Sequence, residues 1–168
     1  MNTLWTPWRI EHVRSAIKSA PGCLFEPPGT DTHSKEFLLL CREPHALCIM
    51  NHFPYSNGHL LVAPTRHVGC ITELSSAETE PLMELVSAAT SILRKQLNPD
   101  GFNIGLNIGS EAGAGISDHL HFHIVPRWQG DHNFITVLAE VRTIPEHIEA
   151  TFDLLLPDFL SYRQTRTT

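Results

Sequence analysis

The chain has 168 residues, 42% of them hydrophobic, and a formal net charge of −6 with histidine counted as neutral. This length and composition predict one globular domain, taken as residues 1–168, and the negative charge argues against a nucleic-acid backbone as the main partner. No apolar run approaches the roughly 20 residues of a membrane helix, and the first residues show neither a basic lead nor an apolar signal core. We therefore expect a cytoplasmic protein that binds neither nucleic acid nor membrane.

The first part of the chain alternates between short apolar runs and turns. Residues 1–20 contain Trp5 and Trp8, which need a surface to pack on, so this segment is predicted to wrap the domain or to cross to a second subunit. After a loop-like stretch the apolar runs predict three strands, at residues 37–41, 46–51 and 59–63. Strands this close along the chain are typical of an antiparallel meander.

The most regular pattern in the chain is a helix at 76–97, where apolar residues recur at helical spacing. Pro81 lies inside it, so the regular helix is predicted to begin only near residue 79. Residues 102–108 alternate between apolar and other residues, as in a strand. A proline near its first turn predicts a final helix at about 145–156.

Three histidines, His119, His121 and His123, alternate with apolar residues. A strand sends successive side chains to opposite faces, so the three imidazoles are predicted to share one face and the apolar residues the other. Pro126 is predicted to end this strand. Such a row suits a half-buried strand with a polar face, a metal site, or catalysis in which an imidazole nitrogen attacks phosphorus.

A glycine-rich connection precedes the histidine row. Gly109, Gly113 and Gly115 leave backbone N–H groups unshielded and let the chain curve around an anion. Ser117 follows, and its hydroxyl can either donate to a phosphate oxygen or stabilise the turn. Next to a row of imidazoles, this connection favours a phosphate-containing ligand.

The run His119-Leu120-His121-Phe122-His123-Ile124-Val125 resembles the signature of the histidine triad (HIT) superfamily. Residues 51–64 and 101–107 are similar to strands of that family. Residues 4–9 and 130–134 resemble the bacterial branch of diadenosine polyphosphate phosphorylases and hydrolases, which is Fhit-like. The expected fold is therefore α+β and HIT-like, an antiparallel sheet of about five strands with one long helix and a C-terminal helix, in which residues 130–168 form a C-terminal extension.

The resemblance implies a role for each of four histidines. His121 would attack the α-phosphorus of a dinucleoside polyphosphate and form a covalent nucleotidyl-histidine, which phosphate or water would then release. His123 would bind phosphate oxygens, His119 would orient the ring of His121, and His59 would lie beside the triad. A hydrolase of nucleoside phosphoramidates or adenylyl conjugates, and a non-enzymatic nucleotide-binding protein, are the alternatives.

The same resemblance implies how the nucleotide is held. Asn51 would bind the ribose, and Asn107 would support the phosphates together with Gly113, Gly115 and Ser117. Many family members carry a glutamine just before the triad, which this chain lacks, and that difference favours the phosphorylase-like branch. Family members are commonly homodimers, and the first 20 residues and the C-terminal segment are the candidate contacts.

Zinc is the one metal that the resemblance suggests. Many family members bind it through a C-x-x-C pair and two histidines, and here Glu26 stands where the second cysteine would be. The candidate set is Cys23, Glu26, His59 and His119, since carboxylate oxygen can also bind zinc. This zinc would be structural, because the covalent step needs no cofactor.

Overall fold

The computed structural model describes residues 22–131 and 147–166. Its strands and helices, in chain order, are β1 (Leu39–Arg42), β2 (Ala46–Met50), β3 (Leu60–Pro64), α1 (Ser76–Leu97), β4 (Gly101–Leu106), β5 (Phe122–Arg127) and α2 (Ile148–Arg166). The strands form a five-stranded sheet in the order β1-β2-β3-β5-β4, and every neighbouring pair is antiparallel. The predicted α+β class is therefore confirmed, whereas the predicted wrapping segment at 1–20 lies outside the described residues.

The two helices pack with one face of the sheet. The core there contains the apolar stripe of α1 together with Leu60, Val62 and Ile124 from the central strands. Three residues of α2 join it, namely Phe152, Leu155 and Phe159. None of the described helices is long and apolar enough to span a bilayer.

The opposite face of the sheet carries a smaller apolar cluster and the histidine row. Leu61 belongs to this cluster, with Phe25 and Ile49, and it pairs across β3 and β5 with His123. Paired residues of adjacent strands point to the same face, so the imidazole of His123 lies on the side away from the helices. Successive side chains of a strand point to opposite faces, so Phe122 and Ile124 pack on the helix side while His123 faces the other way, as predicted.

Helix α1 starts at Ser76, so the predicted late start near residue 79 is wrong. Glu78 Oε2 accepts the backbone N–H of Ser75 at 2.9 Å, which satisfies a donor that the helix itself leaves unpaired. Arg66 Nε donates to the other carboxylate oxygen at 2.6 Å. Hydrogen bonds from Arg66 and Ser75 hold the pKa of the Glu78 carboxyl well below its usual range. This network anchors the first turn, and Pro81 is accommodated inside the helix.

Helix α2 runs through Pro157 to Arg166, and the predicted end near residue 156 is wrong. Tertiary contacts lie on both sides of the proline. Phe159 is fully buried in the core, and Asp158 accepts hydrogen bonds from Lys95 and Gln96 of α1, each at 2.6 Å. These contacts stabilise the turn that a proline would otherwise interrupt.

Pro126 lies inside β5, so the predicted strand end is also wrong. Strand β3 begins at Leu60, which pairs with Ile124, and therefore no residue of β3 faces β5 beyond that point. Pro126 pairs only with Phe102 of β4. A residue without an N–H is tolerated in a strand where one side of the ladder has ended.

Candidate active site

The three histidines of the row lie together, although β5 begins only at Phe122. The rings of His121 and His123 are 4.9 Å apart between centroids. Phe25 packs on the rings of both His119 and His121, at 5.0 and 4.9 Å. His119 and His121 are buried, and His123 is half-buried. Phe25, which the sequence analysis did not single out, is therefore a shared packing partner of two of the three histidines, His119 and His121.

His121 is held by one hydrogen bond to the backbone. Its Nδ1 lies 2.8 Å from the carbonyl oxygen of His119. A carbonyl oxygen only accepts, so the proton of the neutral ring is on Nδ1 and Nε2 keeps its lone pair. Burial lowers the pKa of the His121 imidazole below its ordinary value, which favours this neutral form. The ring is thus arranged as a nucleophile through Nε2.

His119 has the opposite tautomer. Its Nε2 donates to the carbonyl oxygen of Pro64 at 2.9 Å, so Nδ1 holds the lone pair. That Nδ1 lies 3.1 Å from Cys23 Sγ. Burial lowers the pKa of the His119 imidazole and raises the pKa of the Cys23 thiol. The contact that orients His121 therefore comes from the backbone carbonyl of His119, whereas its ring faces Cys23.

His59 is buried beside His123, with its Nε2 3.0 Å from His123 Nδ1. The other nitrogen, Nδ1, accepts the backbone N–H of Tyr55 at 3.0 Å and lies 3.2 Å from Asn51 Nδ2. The Tyr55 ring stacks on His123, with 5.8 Å between centroids and an interplanar angle of 16°. Tyr55 was missed by the sequence analysis, and the available signal was an aromatic residue in the loop just before His59.

A group of possible metal donors lies at the other end of the row. One donor atom from each of Cys23, His67 and His119 lies within 4.8 Å of the others. Glu26 Oε1 is 3.0 Å from His67 Nδ1. The structure thus places His67, and not the predicted His59, with Cys23 and His119. The sequence feature that could have revealed His67 is its position three residues after the end of β3. In the structure its ring lies 4.8 Å from that of His119, between centroids.

Comparison with known proteins decides the family. Residues 34–130 match the family model described as HIT domain. A protein of Mycobacterium tuberculosis named AP-4-A phosphorylase is 34% identical over 165 residues, which cover 95% of this chain and 85% of that protein. The chain belongs to the HIT domain family.

Solved structures share the fold of this chain. A histidine triad nucleotide-binding protein from Sulfolobus tokodaii superimposes with a TM-score of 0.62 at 25% identity, over 76% of this chain and 87% of that one. A zinc-bound histidine triad protein from Mycobacterium smegmatis superimposes with a TM-score of 0.60 at 22% identity, over 91% and 94% of the two chains. The second likeness concerns the fold alone.

In this HIT protein the predicted phosphate-binding residues lie on the connection between β4 and the histidine row. Asn107 follows β4 directly, and its Nδ2 donates to the carbonyl oxygen of Gly113 at 3.4 Å. Gly113 has a φ of +87°, a conformation that favours glycine. Gly115 and Ser117 are exposed. The connection is therefore a bent, accessible loop whose C-terminal end leads into His119.

Proposed function

We propose that this HIT protein cleaves dinucleoside polyphosphates of the diadenosine tetraphosphate class, with inorganic phosphate as the acceptor. The lone pair on Nε2 of His121 is the observation that carries the proposal, because the bond from Nδ1 to the His119 carbonyl leaves that nitrogen as the nucleophile. Attack on the α-phosphorus forms an N–P bond and releases ATP. Phosphate then attacks the adenylyl-histidine, restores His121 and yields ADP.

The other predicted residues have proposed roles in holding the nucleotide. Asn51 binds the ribose, while Asn107, Gly113, Gly115 and Ser117 bind the phosphate chain along the exposed loop. The choice of phosphate over water as acceptor is supported by the M. tuberculosis relative, whose name is that of a phosphorylase. The chemistry needs no cofactor, since the nucleophile is a side chain and the phosphates are stabilised by hydrogen-bond donors. A cytoplasmic location stays a prediction.

Product analysis tests this function. The protein is incubated with diadenosine tetraphosphate, with and without inorganic phosphate, and the nucleotides are separated by chromatography. We expect ADP and ATP, formed only when phosphate is present. AMP and ATP formed without phosphate would instead establish a hydrolase. Absence of turnover in both tubes would contradict the proposed substrate class and leave phosphoramidates and adenylyl conjugates to be tried.

We propose that the group of Cys23, His67 and His119 binds a structural zinc ion. The donor set fits, because thiolate sulfur and neutral imidazole are the ligands that zinc prefers, and the lone pair of His119 Nδ1 faces Cys23. Glu26 Oε1 lies 3.0 Å from His67 Nδ1, and a carboxylate commonly orients a metal-bound histidine in this way. A bound ion would tether the segment that carries Phe25 to the histidine row.

Metal analysis of the purified protein tests the zinc proposal. We expect about one zinc ion per chain in the wild type, its loss in Cys23→Ala and a lower melting temperature in the presence of a chelator. Cys70→Ala is the matched control, because Cys70 lies outside the donor group. Equal zinc contents in the two variants would contradict the site.

We also propose that the protein is a homodimer. Strand β4 is at the edge of the sheet; Ile104 within it is 45% exposed, and Ile108, two residues beyond its end, is 42% exposed. An edge strand with exposed apolar residues is a natural surface for pairing with a second copy. Light scattering at micromolar concentration should give the mass of two chains, and Ile104→Lys should shift it toward one. A single-chain mass for the wild type would refute the dimer.

A further inference from the structure

Four hydrogen bonds determine where the protons lie on His59 and His123. The first donor is the backbone N–H of Tyr55, which can only donate, and its acceptor is His59 Nδ1 at 3.0 Å. Asn51 adds a second donor, since its Oδ1 accepts the N–H of Phe53 at 2.9 Å and this orients Nδ2 toward the same nitrogen, 3.2 Å away. His59 Nδ1 therefore carries no proton.

The second ring follows from the first. A histidine without a proton on Nδ1 carries it on Nε2, so His59 Nε2 donates to His123 Nδ1 at 3.0 Å. His123 Nδ1 is then also unprotonated, and the proton of its neutral ring lies on Nε2. Adding a proton to His123 would place two hydrogens between nitrogens that are only 3.0 Å apart.

The surroundings prevent these rings from turning to relieve that conflict. His59 is 1% exposed, and the Tyr55 ring packs on both imidazoles, at 4.7 Å from His59 and 5.8 Å from His123. The loop that carries Tyr55 is itself tied to α2, because Thr151 Oγ1 donates to Asn57 Oδ1 at 3.0 Å. The tautomers are thus set by packed structure.

Adjacent histidines of the row consequently present opposite groups. His121 offers a lone pair on Nε2, and His123 offers an N–H on Nε2. We propose, on the basis of the function proposed above, that Tyr55, Asn51 and His59 are positioning residues that keep His123 a neutral hydrogen-bond donor to the phosphates, and that His123 is not a general acid. The enzyme would therefore be selective for leaving groups that depart without a proton.

The reaction balances without a proton from His123. The lone pair of His121 forms the N–P bond, and the electron pair of the breaking P–O bond stays with the departing nucleotide, which leaves as a phosphate anion. His123 keeps its Nε2 proton throughout and stabilises charge on the phosphate oxygens. An amine or alkoxide leaving group, by contrast, needs a proton that this ring does not supply.

Nitrogen NMR on histidine-labelled protein tests the proton positions without any substrate. Long-range ¹H–¹⁵N spectra at neutral pH should show unprotonated Nδ1 and protonated Nε2 for both His59 and His123, and the reverse for His121. In Asn51→Asp, an isosteric acceptor replaces one of the two donors to His59 Nδ1, whereas the backbone N–H of Tyr55 still donates to that nitrogen, so His59 and His123 should both keep the proton on Nε2. A wild-type His123 that is protonated on Nδ1, or on both nitrogens, would overturn the proposal.

Kinetic measurements on variants distinguish a hydrogen-bond donor at His123 from a general acid at that position. The amide of glutamine can place an N–H where His123 Nε2 stands, whereas leucine cannot donate. On diadenosine tetraphosphate we expect His123→Gln to lose about 10-fold and His123→Leu about 10²- to 10³-fold in kcat. Equal losses in both variants would overturn the donor role. His33→Gln, which changes an exposed histidine, controls for the substitution itself.

A second kinetic test compares substrates that differ in their leaving group. The wild type should turn over adenosine 5′-phosphoramidate about 10²- to 10⁴-fold more slowly than p-nitrophenyl AMP, which is the contribution that a general acid makes elsewhere. Comparable rates on the two substrates would overturn the selectivity. If neither these substrates nor diadenosine tetraphosphate reacts, the proposed function fails, and the NMR result alone decides the tautomers.

Discussion

Replacement of His121 by alanine is expected to lower the turnover of diadenosine tetraphosphate by about 10⁴- to 10⁶-fold, the loss that removal of a catalytic nucleophile typically causes. The reason is the hydrogen bond of 2.8 Å between His121 Nδ1 and the carbonyl oxygen of His119. It places the proton of the neutral ring on Nδ1, so the lone pair of Nε2 is available to attack phosphorus. Alanine has no lone pair to offer. Phosphate would have to attack the substrate directly, with only the binding contacts to assist it.

Nucleotide binding should survive this substitution, because the ribose and phosphate contacts are proposed to come from other residues. Rates are measured by chromatography of the products, and binding by calorimetry with the intact substrate. His33→Ala is the control, since it removes an exposed histidine from outside the site. If His121→Ala kept turnover near that of the control, the nucleophile would have to be another residue.

Replacement of Phe25 by alanine should cost about 3–5 kcal/mol in the free energy of unfolding, as truncation of a buried aromatic residue usually does. Phe25 is 1% exposed and belongs to the apolar cluster on the histidine face. Its ring also packs on His119 and His121. The variant would leave a cavity between that cluster and the histidine row. The protein would lose stability, and the rings of His119 and His121 would lose a packing partner.

Urea unfolding followed by tryptophan fluorescence or circular dichroism measures this change. Phe53→Ala is the matched control, because Phe53 is 51% exposed and its truncation should change the unfolding free energy by less than about 0.5 kcal/mol. The turnover of Phe25→Ala under native conditions should fall too, since the ring of His121 loses one of its supports. Similar unfolding midpoints for the two variants would show that Phe25 does not hold the row.

Much of the fold could be predicted because its signals are local. The apolar spacing at 76–97 predicted α1, and the alternation of His121, Phe122 and His123 predicted which side chains share a face. Both are properties of a few neighbouring residues and of the helix and strand periods. The motif also identified the family, which then implied the nucleophile.

The prolines show where local rules fail. Pro126 was predicted to end its strand, and the last helix was predicted to end near residue 156, just before Pro157; both prolines lie inside an element. At Pro126 the neighbouring strand has already ended, and at Pro157 contacts with α1 hold the following turn. These outcomes depend on what lies across the fold, which a proline in the sequence does not reveal.

The sequence by itself determined the alternating histidine row, the helix that supports the sheet, and the family. Only the tertiary structure decided which atoms of those histidines carry protons and which other residues they meet. Cys23 contacts His119 although the two residues are 96 positions apart in the sequence, and His59 contacts His123 although they are 64 positions apart. A side-chain period constrains residues a few positions apart, whereas a tautomer depends on hydrogen-bond partners that only folding brings together.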